Sequence, residues 1–540
     1  MNISKKRIRL YLLICVVGNF LLKVILLVKD VVPFNADEAV VALMARHILQ
    51  GERPIFFYGQ TYMGSLDAWF VALGFLVFGQ KVWIIRLVQT LLYLAVMLTT
   101  FFISLKVTKS KLAAIIATLL LSIPVVNTTL YTTASLGGYG EGLLIGNILL
   151  LLGFALLGCF PKQSRKCGIY AFSWGVMAGL GLWVFGITLV YSIPIGIAIF
   201  LYIIRKGNKR QRIDYGIKLL LGIVIGAFPW WLYAFENGLS SLIAELGGGA
   251  IAGVEQTSYV IRILNHLIGI LLFGSTVVFG LRPPWAIKWF AIPLMPIVLA
   301  IWFGVLIFIC RRIRNKSIEI YEWVLLGIPL TLFLGFILSP FGADPSGRYF
   351  LPVSVPLAIF GGWFIVSLVK RFGNTFCLLI LFLLGFNIWG TIQCVNKNPP
   401  GITTQFDAIT QVDHRYMGEL IEFLNSHNEK MGYTNYWVSY PLAFLSQEQL
   451  IFIPRLPYHQ DFRYTERDDR YEPYTKIVSQ ATRVAYITTN NDPLDDYLRE
   501  QFQSKGISWK EHLIGDYHIY YYLSMPIKPQ EIGLGTTTKP

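Results

Sequence analysis

Runs of about twenty apolar residues recur along this chain, beginning with "LYLLICVVGNFLLKVILLVKDV" at 10 to 31, and they leave it few folds to choose from. A helix rises about 1.5 Å per residue, so each run is long enough to cross the roughly 30 Å hydrocarbon layer of a bilayer. Spans are expected at 10 to 31, 82 to 105, 112 to 131, 140 to 160, 168 to 184, 186 to 204, 215 to 234, 287 to 310, 319 to 339, 349 to 369 and 375 to 394, about eleven in all. With 55% hydrophobic and 14% charged residues among 540, the chain has more apolar surface than one soluble core absorbs. The fold class that follows is a polytopic α-helical membrane protein.

A formal charge of +15 would suit a nucleic-acid binder, but the Lys and Arg do not form a stripe or patch. They gather in short loops: Lys5/Lys6/Arg7/Arg9, Lys106/Lys109/Lys111, Lys162/Arg165/Lys166, Arg205/Lys206/Lys209/Arg210/Arg212, Arg311/Arg312/Arg314/Lys316 and Lys370/Arg371. In the eleven-span arrangement every cluster falls on one side, which the positive-inside rule makes cytoplasmic. The N-terminus is then cytoplasmic. The loops around Asp37, Gly137 to Glu141, 235 to 286 and Asp344 to Arg348 face outward, as does everything after 394. The basic N-terminal start lacks a small-residue cleavage site, so the first helix is read as retained. Segments 62 to 79 and 259 to 281 are apolar, but counting either as a span would invert the later loops. Both are laid along the outer membrane surface as interfacial helices, with a re-entrant hairpin an equal alternative for the second.

After Cys394 a "NKNPPG" linker leads into polar sequence, dividing the chain into a transmembrane domain, 1 to 394, and a soluble non-cytoplasmic α/β domain, 395 to 540. A helical pattern at 412 to 428 precedes β-type runs "YWVSY" near 436, "LIFIP" at 450 and "RVAYITT" at 483. A helix-like "DPLDDYLREQFQSKG" then leads to "HIYYYLS". The six Cys lie in or beside apolar segments and imply no disulfide framework.

The first outward loop, "PFNADEAVVALMARHILQG", starts a helix on two adjacent carboxylates. Asn35 is a good N-cap, Glu38 stands where a capping-box side chain reaches back, and Gly51 is a stop, so helix chemistry accounts for Glu38. Asp37 adds only a dipole contribution of a fraction of a kcal/mol, which leaves it less well explained. Two further outward stretches bring ionisable groups to the membrane edge: "GGYGEG" places Glu141 at the mouth of a span and "GADPSGRYFLPVSVP" places Arg348 at the start of another. Such groups are costly unless they face a polar cavity, and several on one side suggest a site. Taken singly, Glu141 can be a turn-capping acid, Arg348 a headgroup anchor and "FFYGQTY" an interfacial aromatic belt.

These motifs together, the outward Asp-Glu after the first helix, the "G-x-x-P-I-F-x-Y-G-Q-x-Y" continuation and the late "R-Y-F-L-P-V-x-x-P", resemble the GT-C membrane glycosyltransferases. The resemblance is to the protein O-mannosyltransferase and lipid A aminoarabinose-transferase type, over about residues 1 to 370. It implies a sugar donor carried on a polyprenyl or dolichyl phosphate and transfer on the non-cytoplasmic face. It also implies Asp37 as catalytic base with Glu38 its neighbour, and Arg348 next to donor binding. Glu141, Tyr58, Gln60, Tyr62, Tyr139 and Tyr349, which stand in or beside the same motifs, are candidate substrate-binding residues. No cofactor is expected. Asp37 with Glu141 could offer oxygen ligands to Mg²⁺ or Mn²⁺, but the mannosyltransferase-like members are expected to work without a metal.

A phosphate is a good leaving group, whereas an acceptor hydroxyl gains from a carboxylate that takes its proton, which suits one Asp base and an inverting displacement. The expected partners are the lipid-linked donor, the membrane and a lipid, protein or glycan acceptor, with no nucleic acid. The absence of an N-x-S/T site from the soluble domain favours a prokaryotic plasma membrane. The charge run "RYTERDDRYEPY" at 463 to 474 can grip an acceptor, although such runs are usually solvated surface. The rival readings are a transporter or flippase of a lipid-linked sugar and a surface-polymer assembly protein.

Overall fold

The computed structural model describes residues 3–159, 166–246 and 258–536, so Lys162 and Arg165 of the third basic cluster lie outside the described residues. The chain divides into two compact units. The first comprises Met1–Val28, Tyr62–Leu66 and Arg86–Cys394, and the second Lys29–Thr61, Asp67–Ile85 and Val395–Pro540. The first outward loop, which the sequence groups with the spans, thus packs with the C-terminal region.

Among the described residues, ten helices are long and apolar enough to cross a membrane. Lys209–Gly226 with Phe228–Asn237, bent by 61°, makes a possible eleventh. In the first unit, helix Lys166–Val184 packs on Lys209–Gly226 through small residues. A Cβ on Gly179 would stand 2.1 Å from the Ile223 carbonyl oxygen, and one on Gly226 would stand 2.0 Å from that of Val176. Glycine lets the two backbones touch, which is how helices adhere where lipid offers no hydrophobic drive.

The span expected at 112 to 131 is broken into Lys111–Ser122 and Val126–Tyr131. Pro124 is the cause, since proline lacks the N–H and pushes the preceding residue out of the helical region. The carbonyls freed by the break are taken up by other helices. Tyr93 Oη donates to Leu121 O at 2.9 Å, Asn19 Nδ2 to Ser122 O at 3.1 Å and Asn387 Nδ2 to Ile123 O at 2.8 Å. In lipid such groups must find protein partners, so three polar side chains inside spans are explained by one proline.

Leu66–Phe78, at 13 residues, is too short to cross. Tyr259–Val278, laid on the surface by the sequence reading, has a length and hydropathy that would permit crossing. Its second half packs on the stretch around residues 337 to 350. His266 Nδ1 lies 3.0 Å from Ile337 O, Gly269 faces Pro345, Gly274 faces Phe350, and Val277 faces Gly347. Residues 266 to 277 therefore meet residues 337 to 350. Cys159 and Cys167 are joined in a disulfide, a pairing the sequence reading did not foresee. The helices that carry them bring their Cα atoms to 5.8 Å, within bridging range.

In the second unit, residues 395 to 540 form an α/β fold on a five-stranded sheet: β1 Met431–Thr434, β2 Ile451–Pro454, β3 Ala485–Thr489, β4 Lys510–Ile514 and β5 Tyr517–Tyr521, in the order β2-β1-β3-β5-β4. β1 pairs parallel with β2 and β3, while β5 runs antiparallel to both its neighbours. Helices Met417–Ser426 and Asp492–Ser504 stand where expected. The "YWVSY" run does not form a strand. It opens helix Tyr436–Leu445, capped by Asn435, whose side chain accepts from Trp437 N. The aromatic and β-branched content suggested a strand, and the cap together with burial against the sheet overrides it. The linker turns back onto residues 30 and 31, with Ile402 N donating to Val31 O at 2.7 Å and Asn398 Nδ2 to Asp30 O at 2.8 Å.

Candidate active site

Helix Ala36–Gln50 begins as the sequence predicts: Asn35 Oδ1 accepts from Glu38 N at 2.9 Å, and Gly51, at φ 113°, ends it in the left-handed region. Glu38 is fully buried, while Asp37 is half-buried and accepts a 2.5 Å hydrogen bond from Tyr436 Oη. Tyr436 is itself buried, and burial together with the Asp37 charge pushes its phenol well above its ordinary value, so it is a proton donor here. The Arg470 guanidinium lies 5.3 Å from the Tyr436 ring centre. Asp468 is buried beside them, and burial, helped by the Asp37 charge and opposed by Arg470 and Tyr458, raises its carboxyl to about 7.

The charge run at 463 to 474 is therefore not solvated surface as a whole. Asp468 is inside and Asp469 pairs with Arg455 at 2.6 Å. Tyr436, Asp468 and Arg470 escaped the sequence reading as site residues. The signal that could have found Asp468 and Arg470 was the concentration of acids, Arg and Tyr in that run, to which Tyr436 does not belong.

Farther along the same helix His47 is held on both sides, by Tyr58 Oη at 3.0 Å and by Glu448 Oε1 at 3.0 Å. Tyr58 donates to Glu52 at 2.5 Å, Tyr471 donates to the other Glu52 oxygen at 2.6 Å, and Arg46 reaches Glu448 at 3.3 Å. Burial works against the Glu448 charge, yet bonds from His47 and Tyr474 and the Arg46 charge hold its carboxyl down to about 2. The Tyr58 hydroxyl is thus committed within the protein. Gln60 is half-buried on the strand that follows.

In the first unit, Arg348 follows a turn built by its own loop. Asp344 Oδ1 accepts from Ser346 N at 2.9 Å, Gly347 takes a φ of 104°, and Asn127 Nδ2 donates to Gly347 O at 3.0 Å. A side chain at 347 would be strained at that angle and would meet Val277, so glycine is required there. Arg348 pairs with Asp344 at 2.6 Å and remains 31% exposed, and its Nε has no hydrogen-bond partner among the described residues. Its guanidinium lies 4.9 Å from the Tyr349 ring centre. A row of rings continues from there: Tyr349 to Phe341 at 5.5 Å, Phe341 to Tyr62 at 6.3 Å, Tyr62 to Phe185 at 6.4 Å, Phe185 to Tyr139 at 5.0 Å and Tyr139 to Tyr131 at 5.0 Å. A backbone bridge between Met63 and Phe185 fixes Tyr62 in this row. The structure therefore brings Arg348, Tyr349, Tyr139 and Tyr62 together, and it buries Glu141 in the first turn of Tyr139–Cys159.

Tyr62 and Tyr349 also line a cavity of about 300 Å³ whose remaining wall is largely apolar, including Ile187, Val190, Leu332 and Phe336. Its volume is at the lower end of small-molecule sites. Among the described residues no three His, Cys, Asp or Glu gather in a way that could hold a metal ion.

The architecture has solved counterparts. ArnT from Cupriavidus metallidurans bound to undecaprenyl phosphate matches with a TM-score of 0.58 at 12% identity, over 96% of this chain and 98% of that one. Its apo state matches at 0.56 and 13% identity, over 89% and 92%. The Archaeoglobus fulgidus oligosaccharyltransferase in the apo form matches at 0.55 and 12% identity, over 90% and 70%. This chain has the GT-C fold. No family model matches the sequence, and no curated protein matches it.

Proposed function

We propose that the chain is a membrane glycosyltransferase that moves a sugar from a polyprenyl-phosphate carrier to an acceptor hydroxyl on the non-cytoplasmic side. The observation that carries this reading is the apolar cavity ending at Tyr62 and Tyr349, with the Arg348 guanidinium against the Tyr349 ring. An isoprenoid tail requires an apolar wall and its phosphate requires a cation, and the ArnT neighbour was solved with undecaprenyl phosphate.

In this mechanism the Asp37 carboxylate takes the acceptor proton while the acceptor oxygen attacks C1 of the sugar. The C1–O bond to phosphate breaks, its electron pair leaves with the carrier phosphate, and the configuration at C1 inverts. Arg348 stabilises the charge that grows on the departing phosphate, an attraction strengthened where water is excluded. The hexosyl or pentosyl nature of the sugar is set by the donor, and the plasma membrane of a prokaryote with an outward C-terminal region is the setting this topology suits.

The test incubates purified protein with a panel of polyprenyl-phosphate sugars and follows release of the lipid phosphate. Asp37→Asn is expected to stay folded in the membrane and to lose about 10² to 10⁴ in rate. Undiminished release by that variant would remove the assignment of the base. Substrate-dependent flux without a covalent product would replace the enzyme by a flippase.

A further inference from the structure

We propose that the C-terminal region completes the catalytic centre, with Tyr436 a positioning residue that fixes the Asp37 carboxylate and with Arg470 and Asp468 beside it. The inference rests on Asp37 being the base and goes beyond that reading by assigning a role to residues 431 to 470.

The sheet places Tyr436 where an α/β fold offers its chemistry. β2 lies on one side of β1 and β3 on the other, so the connections leaving β1 and β2 diverge at the carboxyl ends of the parallel strands, the position at which such sheets bind ligands. Tyr436 is the second residue after β1. Asn435 pins it from both sides: its Oδ1 accepts from Trp437 N at 3.0 Å, and its Nδ2 donates to Thr489 Oγ1, at the end of β3, at 2.9 Å. A buried phenol needs a partner, and the partner it has is Asp37 Oδ1.

The loop behind it is fixed as firmly. Tyr440, one helical turn on and 5.5 Å from Tyr436 between ring centres, donates to Asp468 O at 3.0 Å and accepts from Arg470 N at 2.6 Å. Gly59 permits this approach, since a Cβ there would stand 2.9 Å from Arg470 Cδ. The charged and titratable groups brought to Asp37 are thus Tyr436, Asp468 and Arg470 from the C-terminal region and Glu38 from its own helix. With Oδ1 held by a neutral donor, the carboxylate keeps one orientation and presents Oδ2 to the acceptor proton. Asp468, when ionised, adds a negative charge beside that carboxylate.

Two variants of the full-length protein test this by the pH dependence of kcat/KM, a readout that loss of packing alone would not displace. A carboxylate that loses a hydrogen-bond donor is protonated more readily, so Tyr436→Phe is expected to move the acid limb upward by about one pH unit, with a several-fold lower plateau. The unaltered protein is expected to show an inflection near pH 7, and Asp468→Asn, which mimics the protonated acid, is expected to abolish it. If Tyr436→Phe is poorly folded, the Asp468→Asn profile decides alone. An acid limb unmoved by Tyr436→Phe, or an inflection that survives Asp468→Asn, overturns the inference while Asp37→Asn remains inactive. An active Asp37→Asn overturns the function itself.

Discussion

The two units handle charge in opposite ways. Around Glu448 and Asp37 nearly every ionic or phenolic group is tied to another: His47 between Tyr58 and Glu448, Arg46 on Glu448, and Tyr436 on Asp37. In the span unit, Arg348 has a single carboxylate, Asp344, and otherwise lies over aromatic rings that lead to an apolar cavity. A charge satisfied by several protein groups contributes to folding. A charge that keeps unused donors beside a cavity is available to a ligand. The contrast predicts which substitutions alter chemistry and which alter stability.

Among substitutions that separate the two units, the largest effect should come from Arg348. Arg348→Ala is expected to lower transfer by about 10² to 10³, the usual cost of removing a donor from developing charge, and to weaken binding of undecaprenyl phosphate, with the unfolding temperature little changed. Binding of the labelled lipid and a thermal melt on the same preparation check both halves. A variant that unfolds early while binding normally would erase the distinction between the units.

Glu448→Gln should do the reverse. The folded carboxyl titrates at about 2, below the ordinary value of 4.5, so its contribution is present above pH 4.5 and fades as pH falls toward 2. The shift corresponds to about 3 kcal/mol at neutral pH. The variant is therefore expected to melt at a clearly lower temperature than the unaltered protein at pH 7, with the gap narrowing by pH 3 and kcat little affected below the melt. A gap that widens in acid would show that Glu448 is not held as its neighbours suggest.

What the sequence discloses follows the same division between local and distant causes. The Asn35 cap, the Asp37 position and the Gly51 stop were legible because cap chemistry acts within one helical turn. The apolar runs were legible because bilayer thickness sets their length, although the break at Pro124 and the 61° bend between Lys209–Gly226 and Phe228–Asn237 interrupt two of them. Tyr436 was not legible. Its run looks like a strand, and its bond to Asp37 joins residues hundreds of positions apart. The burial of Asp468 is likewise a tertiary fact inside a run whose composition resembles solvated surface.

The smallest expected effect isolates the cavity from the charge beside it. Gly335 lines the cavity, and a Cβ built on it has nothing within 4 Å, so Gly335→Leu adds bulk to empty space without displacing a neighbour. Helix propensity favours the change as well, since Gly inside a helix costs roughly 1 kcal/mol relative to a good helix former. The variant should therefore fold at least as well as the unaltered protein while leaving less room for an isoprenoid chain. Its KM for a long-chain donor is expected to rise about fourfold to fifteenfold, the range for one or two displaced methylene groups at ~0.8 kcal/mol each. A donor with one or two isoprene units should be unaffected, because its phosphate still meets Arg348. Equal KM changes for long and short donors would mean that the tail lies elsewhere. The apolar half of the contrast would then describe lipid-facing packing, and Arg348 alone would carry the recognition of the carrier.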